Sequence, residues 1–150
     1  MAEPLYFLDT NILVHLVRRD DLGRYINARF SLFTANPRPM ISDVSEGELR
    51  SLAIQWGWGK SKLEQMEFVF SCFSRIAIGD PMILKAYAVI DAHSQSIGNP
   101  MGKNDVWIAA SAKALGARLL TTDKDFDHLE PHFVTRDWID HERDKKQSTN

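Results

Sequence analysis

Residues 5–14 read LYFLDTNILV, an apolar run followed by three polar residues and a second apolar run. The run from Leu5 to Leu8 is typical of a buried strand, and the spacing of apolar residues after Asn11 is that of a helix. Asp9 stands at the junction, where a parallel strand would end. Open α/β sheets bind their ligands at that edge. The segment therefore predicts a strand followed by a helix, with a carboxylate at a candidate ligand-binding position.

The same alternation of strand and helix continues along the chain. Apolar runs predict strands at Leu5 to Leu8, Met40 to Ser42, Arg75 to Ile78, Leu119 to Thr121 and Phe133 to Thr135. Apolar residues at helical spacing predict helices at Asn11 to Arg18, Tyr25 to Phe33, Ser45 to Trp56, Ser61 to about Phe73, Pro81 to the break at Gly98, and Asp105 to Leu115 with Asn104 as its cap. This alternation indicates a mostly parallel sheet with helices on both faces.

Length and composition fit one ordinary globular domain. The chain has 150 residues, 44% of them hydrophobic and 25% charged, which argues against a disordered or fibrous protein. We expect a folded domain over residues 1–140 and a polar tail over residues 141–150. The single cysteine, Cys72, excludes an intrachain disulfide and a thiolate zinc cluster, and it favours the reducing cytoplasm. No segment has the pattern of a signal peptide or a membrane span. The formal net charge of −2 neither supports nor excludes a phosphate-containing substrate.

Two further aspartates occupy positions like that of Asp9. Asp105 opens an Ala-rich helix, and Asp123 comes directly after the strand that ends near Thr121. Because crossovers in parallel sheets are right-handed, the carboxyl ends of the central strands share one edge, where these acids can meet. Each aspartate could instead only cap a helix or stabilise its first turn. Asp125 is expected to be an outer ligand or to face solvent.

One of two glutamates is the candidate for a fourth acid. Glu46 and Glu48 flank the apolar stripe of their helix at similar offsets, so helical geometry does not choose between them. Glu48 also fits a purely structural role, since Ser45 and Glu48 match the capping-box pattern. From the residues alone, both glutamates stay candidates.

Carboxylates gathered at one place repel one another. Two of them about 5 Å apart cost about 3 kcal/mol at an effective dielectric of about 20. Such a group persists when cations or protons neutralise it. Oxygen ligands without cysteine favour Mg²⁺ or Mn²⁺ over zinc or copper. The sequence therefore predicts a magnesium or manganese site, and magnesium held by acids usually serves phosphate chemistry.

Motifs for other chemistries are weak or missing. The sequence has no Gly-rich phosphate loop and no Gly-x-Ser-x-Gly elbow. His128 and His132 have the i, i+4 spacing of a zinc pair, but Pro131 between them disfavours a regular helix. The other histidines, His15 among them, lack acidic company at ligand spacing and are expected at the surface or in packing. Six basic residues could form a rim for phosphate or only a solvated helix face: Arg18, Arg19, Arg24, Arg29, Lys60 and Lys62.

Four motifs, taken in order, resemble those of the PIN-domain ribonucleases. They are Asp9-Thr10-Asn11, Ser42 to Leu49, Asn104-Asp105 to Ala110, and Thr121 to Phe126. More narrowly, the chain resembles the VapC-type toxins of bacterial toxin–antitoxin pairs. The resemblance runs from about Leu5 to Val134, and the ordered set is much more specific than any one motif.

The resemblance implies a three-layer α/β/α sandwich with a magnesium or manganese site. It implies that the catalytic and metal-binding residues are Asp9, Glu48, Asp105 and Asp123. Glu48 is selected over Glu46 because it precedes a leucine after an Ile-Ser strand end, as the second acid of the family does. The resemblance also implies endonucleolytic cleavage of RNA, a homodimer, and an antitoxin whose tail blocks the site.

Two other functions are compatible with the sequence. One is a catalytically silent PIN-like module that binds RNA or protein; it would bind no Mn²⁺ and would not be toxic on expression. The other is a structure-specific DNA nuclease, a class of enzyme that also uses a cluster of acidic residues. The short chain and the lack of a DNA-clamping helical insertion argue against a DNA nuclease.

Overall fold

The computed structural model describes residues 3–142, which form a parallel sheet between two layers of helices. The strands are β1 (Tyr6–Leu8), β2 (Met40–Ser42), β3 (Ser74–Ile76), β4 (Arg118–Thr121) and β5 (Thr135–Trp138). The helices are α1 (Thr10–Arg18), α2 (Asp21–Phe30), α3 (Asp43–Gln55), α4 (Lys60–Cys72), α5 (Pro81–Ser96) and α6 (Lys103–Ala114), with a 3₁₀ helix over Lys124–Leu129. No helix in residues 3–142 has both the length and the apolar character needed to cross a membrane. Apart from its first two residues, the expected tail at 141–150 lies outside the described residues.

The sheet confirms the predicted parallel α/β architecture. Within the described residues its strand order is β3-β2-β1-β4-β5, and every pair of neighbours is parallel. The chain goes from β1 to β2 on one side and later adds β4 on the other side, so the strand order reverses beside β1. Open α/β sheets bind ligands at such a switch point, outside the carboxyl ends of the strands. Asp9, the first residue after β1, lies at this point.

Alternate residues of the central strands pack against opposite helix layers. Leu8 and Leu120 are fully buried with residues of α1 to α4, whereas Phe7 and Leu119 are fully buried with residues of α5 and α6. Complete burial of a Leu or Phe side chain stabilises the fold by about 1.5–3 kcal/mol. The two apolar layers therefore hold β1 and β4 in register, and with them the acids that follow each strand.

Strand β5 lies later in the chain than predicted. It spans Thr135–Trp138 rather than Phe133 to Thr135, because its residues pair one by one with β4 as far as Thr121. Phe133 instead packs beside α5 and α6, with its ring 4.9 Å from that of His93. β3 likewise begins one residue earlier and ends two residues earlier than predicted, since it pairs with β2. In both cases strand pairing overrides the local apolar pattern.

Five of the described helices begin earlier than predicted, and the reason is clearest for α2 and α6. Asp20 accepts a hydrogen bond from the backbone N–H of Gly23 (2.8 Å), so α2 starts at Asp21 rather than near Tyr25. Helix α6 has Gly102 as its N-cap, so the prediction of Asn104 as the cap is wrong. The earlier start places Asn104 and the residue after it inside the first helical turn.

Candidate active site

The aspartates at the switch point also start helices. Asp9 is the N-cap of α1, and its Oδ1 accepts from the backbone N–H of Thr10 (2.8 Å). Asp123 is the N-cap of the 3₁₀ helix and accepts from the N–H of Asp125 (2.8 Å). Asp105 lies in the first turn of α6. The capping interpretation is thus correct, but a cap uses only one lone pair of a carboxylate, so it leaves room for a second role.

These residues form one group of carboxylates. One oxygen from each of Asp105, Asp123 and Asp125 lies within 4.8 Å of the others. Asp9 and Glu48 lie near enough for their charges to raise the pKa of Asp105. We call these five residues the acid cluster. Of the four acids predicted from the sequence, Asp105 and Asp123 belong to the group within 4.8 Å, together with the exposed Asp125, while Asp9 and Glu48 lie around it.

Burial and mutual repulsion raise the pKa values of the acid cluster. Asp9 is 3% exposed, and its burial raises its pKa to about 6 against the opposing effect of two hydrogen bonds. Burial is also the main reason why the pKa of Asp105 rises to about 7, and the charges of the other four acids add to the effect. The charge of Asp123 is the main cause that raises the pKa of Asp125. The site therefore favours a bound cation or bound protons.

A chain of hydrogen bonds joins the acids of the two central strands. The backbone N–H of Asp123 donates to Thr121 Oγ1 (2.9 Å), and the Thr121 hydroxyl donates to Asp9 Oδ2 (2.6 Å). Thr121 is fully buried at the end of β4. Sequence reasoning missed this residue, although a polar Thr121-Thr122 pair at the end of an apolar run was a signal. Thr121 fixes the Asp9 carboxylate relative to the chain that carries Asp123.

Thr10, the residue after Asp9, holds Glu48 at the acid cluster. The Thr10 hydroxyl donates to Glu48 Oε1 (2.7 Å), and Thr10 Oγ1 also lies 2.9 Å from Ser45 Oγ. Ser45 is fully buried inside α3, whereas Ser42 is the N-cap of that helix. The capping-box interpretation of Glu48 is therefore wrong, and its carboxylate is directed to the site.

Glu46 is held outside the acid cluster by two arginines. Its Oε1 pairs with Arg75 of β3, and its Oε2 lies 3.3 Å from Arg50 Nε on its own helix. These ion pairs tie α3 to the edge of the sheet and offset the charge of Glu46. The two glutamates that the sequence left as alternatives thus point to different surroundings.

A large cleft opens at the acid cluster beside Asp123. Its volume is about 900 Å³, and it lies between polar residues of α1 and a wall formed by Trp138 and the residues after β4. A smaller cavity of about 350 Å³ is bordered by Glu48, Asp105 and residues 102–104. Asp123 thus borders the large cleft, and Glu48 and Asp105 border the smaller cavity, an arrangement that suits a chain-like substrate passing across the acids.

Two histidines have partners that their sequence spacing does not show. His15 Nδ1 lies 2.8 Å from Asp20 Oδ2, an acidic partner five residues away and outside the ligand spacings on which the sequence interpretation was based. Asp20 caps α2 and is thereby turned back toward α1, which helical spacing along one helix cannot reveal. The ring nitrogens of His128 contact Ser94 (2.8 Å) and Asn99 (3.1 Å).

The six basic residues considered as a rim are divided between surfaces. Arg18 lines the large cleft, whereas Arg19 and Arg24 line a separate groove. Lys62 lies over the ring of Trp58, 5.4 Å from its centroid. The large cleft thus takes one arginine from the expected rim.

A family model described as PIN domain matches residues 6–130. The chain belongs to the PIN-domain family. The matched range contains all five residues of the acid cluster and ends before Trp138. The acids that define the candidate site are therefore part of the PIN domain itself, while one wall of the large cleft extends beyond the matched range.

Two curated relatives of this PIN domain carry ribonuclease names. It is 30% identical to Ribonuclease VapC1 of Haemophilus influenzae over 129 residues, which cover 83% of this chain and 92% of the relative. It is 31% identical to Ribonuclease VapC2 of Rickettsia felis over 139 residues, which cover 89% of this chain and 98% of the relative. Both alignments extend over nearly the whole of each relative.

Solved structures share the fold of this PIN domain. VapBC2 from Rickettsia felis, bound to a DNA fragment from its promoter, superposes with a TM-score of 0.74 at 20% identity and covers 89% of this chain and 97% of that chain. VapBC-1 from nontypeable Haemophilus influenzae gives 0.72 at 26% identity, with the same coverage. The predicted α/β/α fold is thus confirmed by structural similarity as well as by the sheet itself.

Proposed function

We propose that this PIN domain is a Mg²⁺- or Mn²⁺-dependent endoribonuclease that hydrolyses phosphodiester bonds of RNA. The observation that carries the proposal is the acid cluster, five carboxylates at the switch point of a parallel sheet. Two of them have pKa values raised to about 6 and about 7, so their charged forms are disfavoured and a bound cation would stabilise them. Similarity to proteins named Ribonuclease VapC1 and VapC2 supports RNA as the substrate.

The donor set fits a hard divalent cation. Asp105, Asp123 and Asp125 offer carboxylate oxygens within 4.8 Å of one another, and in the described part of the chain no His or Cys belongs to that group. Oxygen ligands of this kind favour Mg²⁺ or Mn²⁺. Asp9, Asp105 and Asp123 would hold the ion, with Glu48 as a ligand or as the base that orients water. A bound ion would supply activation of a water molecule and neutralise charge on the departing oxygen.

The protein's own residues position the acids for this work. Each oxygen of Asp9 accepts one hydrogen bond, from Thr10 N–H or from the Thr121 hydroxyl, and retains a lone pair for an ion. Glu48 Oε1 accepts from the Thr10 hydroxyl, which leaves Oε2 to accept a proton from the attacking water. Thr10 thus orients two of the acids, one through its backbone and one through its side chain.

The same similarity supports a role as the toxin of a toxin–antitoxin pair. Solved structures with this fold include a toxin–antitoxin complex from Klebsiella pneumoniae as well as the VapBC complexes. We propose a cognate antitoxin as partner, and cytoplasmic RNA as substrate. The homodimer implied by the family resemblance stays a prediction. Expression of the chain should arrest growth, and co-expression of the product of an adjacent reading frame should restore it.

The activity is tested with acid variants on single-stranded RNA. Asp9→Asn and Asp105→Asn should each lower the cleavage rate in Mg²⁺ or Mn²⁺ by at least about 100-fold, beyond the loss expected for a residue that only supports a ligand. Calorimetry should show Mn²⁺ binding to the wild-type chain and weakened binding to both variants. Glu64→Gln is the matched control, since Glu64 is an exposed acid whose nearest cation is Lys60 at 3.9 Å.

Wild-type cleavage rates in folded Asp9→Asn or Asp105→Asn protein would refute the proposal. No Mn²⁺ binding and no toxicity would instead indicate a silent binding module. Preferential cleavage of flapped DNA over RNA in the same assay would indicate a DNA nuclease. Circular dichroism of each variant separates loss of activity from loss of folding.

A further inference from the structure

Helix α1 presents one polar stripe to the large cleft. Asn11, His15 and Arg18 are spaced at i, i+4 and i+7, which places them on one face, and all three line the cleft. Five other residues of the helix are apolar and buried in the core: Ile12, Leu13, Val14, Leu16 and Val17. At 1.5 Å per residue, the stripe extends about 10 Å along the helix from a point next to Asp9. It therefore forms a polar wall that leads away from the acid cluster.

The opposite wall of the cleft carries a lysine beside a tryptophan. The indole N–H of Trp138 donates to the carbonyl of Thr122 (3.0 Å), which fixes the ring at the end of the sheet. Lys124 Nζ lies 5.0 Å from the centroid of that ring. Among residues 3–142, no carboxylate lies within 4.0 Å of the Lys124 ammonium. Lys124 is thus an exposed cation without an acid partner there, directly after Asp123 in the chain.

The wall formed by α1 contains a histidine that is held in one orientation. Asp20 holds His15 Nδ1 at 2.8 Å through Oδ2, while its Oδ1 accepts from Gly23 N–H. Gly23 permits this arrangement, because a Cβ there would lie 2.1 Å from the carbonyl oxygen of His15. The ring is therefore oriented, and its Nε2 edge has no partner among the described residues. Arg18 Nε lies 4.0 Å from the same Asp20 carboxylate, whose charge is thus offset.

We propose that this cleft binds the segment of single-stranded RNA next to the scissile phosphate. Lys124 and Arg18 bind its phosphates, His15 Nε2 makes a polar contact, and Trp138 provides an aromatic wall for a base. A positively charged groove combined with an aromatic ring on which a base can stack binds single strands, and Trp138 is partly exposed. The volume of about 900 Å³ is far larger than one phosphate needs. The inference rests on the proposed ribonuclease function and assigns residues to substrate binding outside the acid cluster.

The experiment measures RNA affinity separately from cleavage. Fluorescence anisotropy with a labelled single-stranded RNA oligonucleotide is recorded over a range of salt concentrations, with all proteins carrying Asp105→Asn to block cleavage. Adding Lys124→Gln or Arg18→Gln should weaken binding severalfold. Each should also lower the slope of log affinity against log salt by about 0.7, the value for one lost phosphate contact in a single strand. His15→Gln should weaken binding with little change of slope.

Lys62→Gln is the matched control. Lys62 lies over Trp58 as Lys124 lies over Trp138, but outside the cleft, so this change should leave affinity and slope unaltered. Unchanged affinity and slope in both Lys124→Gln and Arg18→Gln, or an equal loss in Lys62→Gln, would overturn the inference.

Mn²⁺ calorimetry and cleavage kinetics separate this inference from the proposed function. Without Asp105→Asn, Lys124→Gln should keep wild-type Mn²⁺ affinity and raise KM more than it lowers kcat. A wild-type chain that neither binds Mn²⁺ nor cleaves RNA would remove the proposed function, whereas the anisotropy slopes still decide whether the cleft holds RNA.

Discussion

Asp9 and Asp105 lie in the same acid cluster, but the protein holds their carboxylates in different ways. Asp9 is 3% exposed, and both of its oxygens accept hydrogen bonds. Asp105 is only partly buried, and among the described residues nothing donates a hydrogen bond to its carboxylate. The less buried group nevertheless has the higher pKa, about 7 against about 6.

The difference shows two ways of placing a charge at a site. Hydrogen bonds to a carboxylate favour its charged form, and they limit the rise that burial causes at Asp9. Asp105 accepts no such bond from any residue between 3 and 142, and it faces the charges of four neighbouring acids. The fold therefore holds the Asp9 carboxylate in position before any cation binds. Asp105 is only partly charged near neutral pH, and a bound cation would favour its charged form.

The largest expected effect is the response of the metal-free protein to pH. Both aspartates have folded-state pKa values above the value of about 3.9 in an unfolded chain. The folded protein therefore binds more protons than the unfolded chain between about pH 4 and pH 7, and its stability falls as pH rises through this window. From pH 5.5 to pH 8 we expect the free energy of unfolding in EDTA to fall by about 2 to 3 kcal/mol, measured by urea denaturation.

Mn²⁺ should reverse this dependence on pH. Ligands bind metal in their charged form, so affinity and stability increase as the pH rises. Asp105→Asn removes one titrating group and should flatten the metal-free curve. A metal-free stability that stays constant or rises from pH 5.5 to pH 8 would contradict the raised pKa values.

The next largest effect is expected from Thr121→Val, which tests the hydrogen bond that holds the Asp9 carboxylate. Thr121→Val keeps the shape of the side chain but removes the hydroxyl that donates to Asp9 Oδ2. Supporting residues of this kind change metal affinity by about 10–100-fold, so we expect Mn²⁺ affinity to fall within that range in calorimetry. The pKa of Asp9 should rise further, because a hydrogen bond that lowers it is lost. Thr135→Val, at an exposed position of β5, is the control, and equal Mn²⁺ affinity in both variants would exclude the anchoring role.

A smaller effect is the expected difference in the free energy of unfolding between Asp9→Asn and Asp105→Asn. Asp105→Asn removes a repelled charge and breaks no hydrogen bond to that carboxylate among the described residues. Asp9→Asn also removes a charge, but an asparagine has one carbonyl oxygen where two donors, Thr10 N–H and the Thr121 hydroxyl, need acceptors. One buried donor is then left unsatisfied, which costs about 1–3 kcal/mol. Metal-free Asp105→Asn should therefore be the more stable variant by that amount at pH 8, and equal urea midpoints would contradict it.

The acids that follow strands were predictable, because strand ends in a parallel sheet share an edge whatever the details of packing. Asp9 and Asp123 are placed by this rule alone. The roles of Thr121 and Asp20 were not predictable, since each acts on a residue from another element: Thr121 on Asp9, and Asp20 on His15. Such contacts depend on how elements pack, which periodicity along one segment does not encode.

The choice between the two glutamates shows the same limit. Glu46 and Glu48 have similar offsets on α3, and only the neighbouring elements separate them. An ion pair with Arg75 of β3 holds Glu46 at the sheet edge. A hydrogen bond from the Thr10 hydroxyl of α1 holds Glu48 at the acid cluster. The family resemblance selected Glu48 before these contacts were visible, because it compares the whole motif and not one helix face.

The smallest expected effect is that of Glu46→Gln. This change weakens ion pairs to Arg75 and Arg50, both of which are more than a third exposed, so solvent screening limits the loss of stability to about 1 kcal/mol or less. RNA cleavage and Mn²⁺ affinity should stay within about twofold of wild type, a difference of about 0.4 kcal/mol. Glu48→Gln is the paired variant, which keeps an oxygen for the Thr10 hydroxyl but removes the charge; it should lower cleavage with little change in stability. If Glu46→Gln instead reduced cleavage as strongly as Glu48→Gln, the two glutamates would share one role, and the separation of their surroundings would carry no functional meaning.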